Sequence, residues 1–300
     1  FFTLDVFTDR RFAGNPLAVV LGADMLSTDA MQRIAREFNL SETVFVMKPD
    51  QPAHSAKVRI FTPASEMPFA GHPTVGTAAL LAELRAAEVG GGGTALVTLE
   101  EKIGLVRVGI RMAEGRATFA EFDAPKLPED VGNVPARDAL AAALGLLPSE
   151  IGFANHHTTR FSSGPAFTFI PVSSLEAIGR AAPNLAYWAD AFGETNDGAF
   201  LYTAETMHAA SNYHARMFAP THGIMEDPAT GSAVAGFGGV VAMFDQPPDG
   251  LHRRQVEQGL EMGRASFIAL SVELRGGVLS GVRIGGHSMR VSQGRIDVEA

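Results

Sequence analysis

One phrase occurs twice in this sequence, about half the chain apart. The first copy is Arg59-Ile60-Phe61-Thr62-Pro63, followed by Gly71-His72-Pro73-Thr74 and an Ala/Leu-rich segment. The second is Arg216-Met217-Phe218-Ala219-Pro220, followed by Asp227-Pro228-Ala229-Thr230-Gly231-Ser232 and an Ala/Val-rich segment. Each copy predicts a short strand, a turn broken by Pro, and a helix that begins at a Gly-polar step. Two helix starts of this kind can bind one small anion in a cleft, so the phrase is both a folding signal and a functional signal.

The order of predicted elements around the phrase is repeated as well. Gly14-Asn15-Pro16 and Gly164-Pro165 each precede a strand rich in apolar residues. Ser41-Glu42 and Asn196-Asp197-Gly198 each precede another such strand. This agreement favours duplication of a whole half of the chain, and hence a pseudo-twofold pair of domains, over a chance similarity of two strand–helix units.

Apolar periodicity and capping signals predict several further elements. Ser27 and Ser174 are each placed to cap a helix, and the first of these helices carries its apolar side chains at helical spacing. The other predicted elements are a hairpin of strands at 95–99 and 105–111, helices over 74–85 and 232–244, a loop at 90–93, and late strands at 268–274 and 282–284.

Charge and composition exclude several classes of function. The formal net charge is −9, and such a field repels nucleic acid. The sequence has no Cys, which excludes disulfides, thiolate catalysis and Cys-based zinc sites. No apolar run approaches the ~20 residues that span a bilayer, and the first residues lack the basic region of a signal peptide. We therefore expect a cytoplasmic protein that binds neither nucleic acid nor membrane.

The two Gly-polar steps are candidate binding groups. The first N–H groups of a helix have no partner within the helix, and the helix dipole places partial positive charge there. Gly71 and Gly231 let a ligand approach the backbone closely, so a carboxylate fits such a site. The alternative is capping alone, with Thr230 or Ser232 as the N-cap. Because two such steps occur in a duplicated frame, we favour a ligand cleft.

Three titratable residues lie beside the predicted helix starts or strand ends. His72 is disfavoured as a cation near a helix N-terminus, and a neutral imidazole can relay a proton; its alternative role is a cap or a packed side chain. Asp227 precedes Pro228, where an Asx-turn that holds the loop is the alternative. Glu42 precedes a strand, where a carboxylate is often only solvated. The spacing of the His residues matches no metal site.

Five segments in a particular order span most of the chain. They are 12–20 (FAGNPLAVV), 39–43 (NLSET), 59–63 (RIFTP), 69–74 (FAGHPT) and 226–233 (EDPATGSA). In this order they resemble the phenazine biosynthesis PhzF-like family, and the pair of segments at the two helix starts is the most specific part of the resemblance.

The resemblance implies an α+β fold of the diaminopimelate epimerase type. In that fold, two pseudo-symmetric domains each consist of a curved mixed β-sheet wrapped around a central α-helix, and the active site lies in the cleft between them. The C-terminal segment returns to the first domain, so we expect domains at 1–122 plus 286–300 and at 123–285. Family members are commonly homodimers, which implies a homodimer here.

The resemblance also implies a cofactor-independent isomerase that moves a proton on a small carboxylate-bearing substrate, similar to trans-2,3-dihydro-3-hydroxyanthranilate isomerase. Residue by residue, it makes Glu42 the group that takes and returns the proton, with His72 and Asp227 as the other catalytic residues. Epimerases of the same fold that use a pair of cysteines offer no mechanism here, because the chain has no Cys.

The same comparison assigns the substrate contacts. Gly71, Gly231 and Ser232 match the residues that contact the substrate carboxylate, and Asn15 matches a substrate-contacting Asn of the wider fold.

Two other functions stay open at this point. A non-catalytic protein that binds small acids in the same cleft is the first alternative. A hydrolase that uses Ser232 is the second, although Ser232 lacks the Gly-x-Ser-x-Gly frame of such a nucleophile. Residues outside the motifs would select the substrate, and Tyr213, His214 and the segment 155–157 are candidates.

Overall fold

The computed structural model describes residues 1–89 and 93–298. The predicted loop at 90–93 therefore lies outside the described residues except for Gly93, which begins a strand. The strands are β1 Phe2–Val6, β2 Asn15–Leu21, β3 Glu42–Met47, β4 Ala56–Phe61, β5 Glu66–Met67, β6 Gly93–Glu101, β7 Gly104–Ala113, β8 Arg116–Asp123, β9 Glu129–Asp130, β10 Thr159–Ser162, β11 Ala166–Pro171, β12 Gly198–Thr203, β13 Tyr213–Ala219, β14 Ile224–Asp227, β15 Gly250–Gln258, β16 Ser266–Arg275, β17 Val278–Gly286 and β18 Ser288–Gln293. The helices are α1 Thr28–Phe38, α2 Gly71–Val89, α3 Arg137–Leu144, α4 Leu175–Arg180, α5 Leu185–Phe192 and α6 Gly231–Phe244, with short 3-10 helices at Ala23–Met25, Pro148–Glu150 and Pro220–His222.

The chain divides into two compact units. Unit 1 consists of Phe1–Asp123 and Gly285–Ala300, and unit 2 of Ala124–Ile284. The last strand of the chain, β18, thus belongs to unit 1, where it pairs with β1.

The sheet of unit 1 is mixed. Its strand order is β18–β1–β2–β3–β4–β6–β7–β8. The pairs β2–β3 and β4–β6 are parallel, and the remaining neighbours are antiparallel. The predicted hairpin is confirmed as β6 and β7.

Unit 2 repeats this pattern. Its strands run in the order β9–β10–β11–β12–β13–β15–β16, with β11–β12 and β13–β15 parallel and the other neighbours antiparallel. The sequence of parallel and antiparallel pairs is the same as from β18 to β7 in unit 1. The expected duplication and the α+β fold class are therefore confirmed.

Helices α2 and α6 are the inner helices of their units. Residues 71–80 of α2 are all buried, and α6 is buried on nearly all sides. A helix that is apolar all round is expected to be covered all round. Glycines permit close packing: a Cβ added at Gly76 would lie 2.7 Å from the Leu17 side chain, and one at Gly239 would lie 2.7 Å from the Phe161 ring. The glycines of both helices thus bring the helix backbone against the sheet.

The start of α2 coincides with the Gly-polar step of the repeated phrase, as predicted. The helix begins at Gly71, three residues before the predicted range 74–85. Pro73 is the third residue of the helix, where its missing N–H removes no helical hydrogen bond. The first helical turn accommodates Pro73, as its missing N–H led us to expect.

Other helices cover the outer faces of the sheets. Helix α1 packs on Val20 and Phe45, and its predicted cap is confirmed because the Ser27 side chain accepts a hydrogen bond from the Ala30 N–H. In unit 2, α3, α4 and α5 pack on Leu201 and its neighbours. The sequence predicted α4 but neither α3 nor α5, and α3 begins after Ala136, which offers no capping side chain. Within the described residues, no helix combines the length and apolar character that crossing a membrane requires.

Candidate active site

The repeated phrase forms the same ion-pair arrangement in both units. In unit 1, Nε and Nη2 of Arg59 each donate to Glu66 at 2.7 Å. In unit 2, the same two atoms of Arg216 donate to Glu226 at 2.8 Å. Both glutamates precede the inner helix by five residues, so a bidentate pair ties the strand to the approach of each helix. Glu226 therefore has a structural role, and the equivalence of Glu66 and Glu226 was not visible in the sequence comparison.

In unit 1, the structure brings Glu42 and His72 together. Glu42 begins β3 and His72 is the second residue of α2, and both side chains are buried. The distance from Nε2 of His72 to Oε2 of Glu42 is 3.3 Å, which is long for a hydrogen bond but close enough for strong electrostatic coupling. Gly71, at the helix start beside them, is also buried.

His72 is held as a neutral imidazole. Its side chain is 4% exposed, and burial lowers its pKa to about 3. The sequence suggested a neutral imidazole because of the nearby helix end, but burial is the physical cause. At neutral pH the ring can accept a proton at one nitrogen and donate one from the other.

Asn15 lies on the same face of the sheet as Glu42. It begins β2, where Leu17 is opposite Glu42 in the parallel pair with β3. Leu17 faces α2, and side chains two residues apart share a face, so Asn15 also points towards the inner helix. Gly14 enables the turn before it, with φ of 65° and no room for a Cβ beside the Val6 carbonyl oxygen. Asn15 is fully buried.

The carboxylate of Glu42 has no counterpart at the equivalent position of unit 2. In the parallel pair β11–β12, Phe167 lies opposite Gly198 as Leu17 lies opposite Glu42. Gly198 contacts Phe167 so closely that an added Cβ would be 3.0 Å from its ring. The duplicated scaffold therefore carries a buried carboxylate at this point in one unit only.

In unit 2, Asp227 ends β14 and begins a loop that is tied to the start of α6. Its Oδ2 accepts a 2.6 Å hydrogen bond from the hydroxyl of Thr230, and Asp227 is 6% exposed. One carboxylate oxygen thus holds the loop through a side-chain hydroxyl, which differs from the backbone N–H contact of the Asx-turn given as the alternative. This bond also occupies the Thr230 side chain, which makes no capping hydrogen bond to α6.

Sequence reasoning missed Gln258, which organises this loop. Its side chain is fully buried, with Nε2 donating to the Asp227 carbonyl at 2.7 Å and to Oγ1 of Thr230 at 3.0 Å. Its Oε1 accepts from the Thr230 N–H at 3.1 Å. Gly259 follows with φ of 75° and passes close to the Pro228 carbonyl. Gln258 is distant in sequence from the loop, and no strand was predicted at 250–258, so no local signal pointed to it.

The start of α6 has no side-chain cap from Thr230. Gly231 is buried and Ser232 is partly exposed, and both belong to the first turn of the helix. Of the two N-cap candidates from the sequence, Thr230 occupies the N-cap position without a side-chain capping hydrogen bond, and Ser232 is already the second residue of the helix. Unpaired N–H groups at a helix start favour an anion.

The candidate residues for substrate choice are engaged in internal contacts. Tyr213 donates to Asp245 at 2.6 Å, and the Asn155 side chain donates to the carbonyl of Phe244 at 3.0 Å. Nδ1 of His156 is 3.0 Å from the Tyr202 hydroxyl oxygen. Tyr213 and His156 therefore belong to the core of unit 2, whereas Asn155 is exposed.

His214, another candidate, is a core residue, whereas His157 of the segment 155–157 is exposed. It is fully buried, with its two ring nitrogens 2.9 Å from Glu257 and 2.8 Å from Glu261. Burial opposes protonation, but the two glutamates outweigh it and raise the pKa of His214 to about 9. His214 is therefore an imidazolium that joins β13 to β15. Among the described residues, no group of three or more acidic or His side chains is arranged to hold a metal ion.

Comparisons with known proteins agree with the sequence segments and the fold. The model of the family described as phenazine biosynthesis-like protein (PhzC-PhzF) matches residues 4–294. An uncharacterised isomerase of Mesorhizobium japonicum is 50% identical over 296 residues, covering 97% of this chain and 96% of the relative. The trans-2,3-dihydro-3-hydroxyanthranilate isomerase of Pseudomonas aeruginosa is 33% identical over 297 residues, covering 97% of each chain.

A solved structure gives the same result. The crystal structure of the Bacillus anthracis phenazine biosynthesis protein of the PhzF family superposes with a TM-score of 0.87 at 28% identity, covering 99% of this chain and 98% of that chain. The resemblance inferred from the five sequence segments is confirmed over the full fold. The chain belongs to the phenazine biosynthesis-like (PhzC-PhzF) protein family.

Proposed function

We propose that this protein is an isomerase that moves a proton on a small carboxylate-bearing substrate without a cofactor. The observation that carries the proposal is the buried Glu42–His72 pair, with 3.3 Å between Oε2 and Nε2. Relatives named as isomerases support the reaction class, and the trans-2,3-dihydro-3-hydroxyanthranilate isomerase of Pseudomonas aeruginosa supports a cyclic, conjugated acid as the substrate.

Glu42 performs the proton transfer in this proposal. Its carboxylate removes a proton from one carbon of the substrate, and the resulting carboxylic acid returns a proton to another carbon, so no net proton is gained or lost. One carboxylate suffices for such a reaction, which is consistent with Gly198 at the equivalent position of unit 2. His72, neutral and in contact with Glu42, orients the carboxylate and relays the proton.

The substrate carboxylate is assigned to the helix starts. Gly71, Gly231 and Ser232 supply N–H groups, and the positive end of the helix dipole stabilises the charge that spreads towards the carboxylate as the proton leaves. Asp227 and Asn15 are assigned to substrate orientation. A homodimer is part of the proposal and is checked by light scattering during size-exclusion chromatography.

Proton exchange in D2O tests this function. Wild-type protein is incubated with trans-2,3-dihydro-3-hydroxyanthranilate and with a panel of small conjugated acids, and NMR follows both isomerisation and deuterium at each carbon. We expect conversion of at least one acid, and a loss of ~10²–10⁴-fold in rate in Glu42→Gln, as removal of a general base requires.

Glu37→Gln is the matched control. Glu37 is an exposed residue of α1 in the same unit, so this variant makes the same chemical change away from the site and is expected to keep the wild-type rate. Equal rates in Glu42→Gln and wild type would refute the assignment of the base. Tight binding of an acid without exchange by wild type would instead support the alternative of a non-catalytic small-acid-binding protein.

A further inference from the structure

Glu101, the last residue of β6, is a buried carboxyl group that the proposed reaction does not use. It is 8% exposed, and its Oε1 lies 2.8 Å from the hydroxyl oxygen of Thr74 in the first turns of α2. Within the part of the chain that the structure describes, its Oε2 is buried and accepts no hydrogen bond. Burial with so few hydrogen bonds destabilises a charged carboxylate but not a neutral carboxylic acid.

The number of hydrogens at Thr74 identifies the protonation state. The hydroxyl oxygen lies 2.8 Å from Oε1 of Glu101 and 2.8 Å from the carbonyl oxygen of Ala70, and both contacts are buried. A hydroxyl group has one hydrogen, and a carbonyl oxygen can only accept. If the hydrogen of Thr74 points to Ala70, the hydrogen of the other contact must come from Glu101. Both short contacts are satisfied together only when Glu101 is protonated.

We propose that Glu101 is a positioning residue which, as a carboxylic acid, donates to Thr74 and thereby holds the Thr74 hydroxyl on Ala70. This chain of hydrogen bonds spans the turn that contains Gly71 and His72, so it holds His72 beside Glu42. The consequence for catalysis rests on the proposed function, whereas the hydrogen-bond chain itself does not.

Burial supports the protonated form near neutral pH. It raises the pKa of Glu101 to about 8, against a smaller lowering by the hydrogen bond with Thr74. Above that pH the carboxylate would take the hydrogen of Thr74. Ala70 would then keep only the 3.3 Å bond from the Thr74 backbone N–H, and the turn at Gly71 would loosen.

In the described part of the chain, the charged neighbours of Glu101 are paired with other groups. The charged residues on either side of Glu101 in the sequence are engaged elsewhere, Glu100 of β6 with His54 and Lys102 of the following turn with Glu66. On β7 the residue opposite Glu101 is Gly104, which carries no charge. Among the described residues, the other elements packed on β6 carry the neutral His72 on α2 and, on β4, Lys57, which lies opposite Glu100 and is paired with Asp50.

NMR of the His72 ring tests the proposal without any substrate. The wild-type protein is labelled at its histidines with ¹⁵N, His72 is assigned by its absence in His72→Gln, and spectra are recorded from pH 6 to pH 10. We expect a His72 shift with an inflection near pH 8 in wild type. Glu101→Gln should abolish the inflection, because an amide donates to Thr74 at every pH, and Thr74→Val should abolish it by removing the hydroxyl.

The proposal is overturned if the wild-type His72 signal is flat across this range, or if the inflection persists in Glu101→Gln. The exchange assay adds the catalytic consequence: the wild-type turnover should fall about tenfold at pH 9 through kcat rather than KM, and Glu101→Gln should keep its rate. The NMR inflection without exchange of any acid would refute the proposed function and leave Glu101 as a positioning residue of α2. Exchange with the same alkaline decrease in both proteins would refute the role of Glu101 and leave the function intact.

Discussion

Replacing His72 with Gln makes the stability of the protein less sensitive to acid. The unfolded chain binds a proton at this position below pH 6.5, whereas burial keeps the folded chain from binding it until about pH 3. Above pH 6.5 His72 is neutral in both states and the free energy of unfolding is unaffected by its titration. As the pH falls from 6.5 to 3, protonation of the unfolded chain progressively lowers the free energy of unfolding. At pH 5 the linkage relation gives a loss of about 2 kcal/mol relative to pH 8.

The competing interaction at this site has a similar size. Lowering the pKa from 6.5 to about 3 corresponds to a burial penalty of about 5 kcal/mol for the imidazolium. An ionised Glu42 with its oxygen 3.3 Å away would attract an imidazolium by about 5 kcal/mol at an effective dielectric constant near 20. The measurement therefore decides between a neutral His72 and a His72–Glu42 ion pair.

Urea unfolding at pH 8, 7, 6 and 5 provides the measurement. Far-UV circular dichroism follows the whole chain, and the fluorescence of Trp188, the single Trp, follows unit 2 separately. The contributions of other titrating groups to the unfolding free energy cancel when the wild type is compared with His72→Gln at each pH. The difference in unfolding free energy between the two proteins should therefore change by about 2 kcal/mol between pH 8 and pH 5. Parallel curves would refute the neutral imidazole and with it the relay assigned to His72.

Three further predictions concern unit 2. Gln258→Glu removes the amide donor to the Asp227 loop, so it should lower turnover at least about tenfold and destabilise the protein by about 1–3 kcal/mol. The control Gln255→Glu on the same strand should change stability by less than about 0.5 kcal/mol. Equal effects of the two variants in the exchange and urea assays would contradict the role of Gln258 in the loop. Gly239→Ala should destabilise by about 1–3 kcal/mol because its Cβ would meet a Phe ring at 2.7 Å, whereas Gly179→Ala in α4 has open space and should be neutral or stabilising in thermal melts. The two glutamates outweigh burial and raise the pKa of His214 to about 9, so its imidazolium stabilises the fold fully below pH 6.5 and loses this effect as the pH rises through 9. The difference in unfolding free energy between wild type and His214→Gln should therefore shrink by about 2 kcal/mol between pH 7 and pH 9. A constant difference would argue against the imidazolium.

Local patterns in the sequence predicted the elements that depend on near neighbours. The Ser27 cap, the β6–β7 hairpin and the helix starts near Gly71 and Gly231 are set by residues within a few positions of each other. Helix α3 was not predicted because Ala136 provides no local capping signal. Packing against its neighbours in unit 2 stabilises this helix.

The sequence by itself determined the duplication, the absence of thiol chemistry and the identity of the segments shared with the family. Tertiary structure alone decided the contacts within each unit that give those segments their chemistry. The register of β2 and β3 brings Glu42 to His72, which is 30 positions later, and the pairing of β13 with β15 brings Gln258 to the Asp227 loop. Such contacts depend on strand register and burial, which are set by the packing of the whole sheet, so no local pattern in the sequence encodes them.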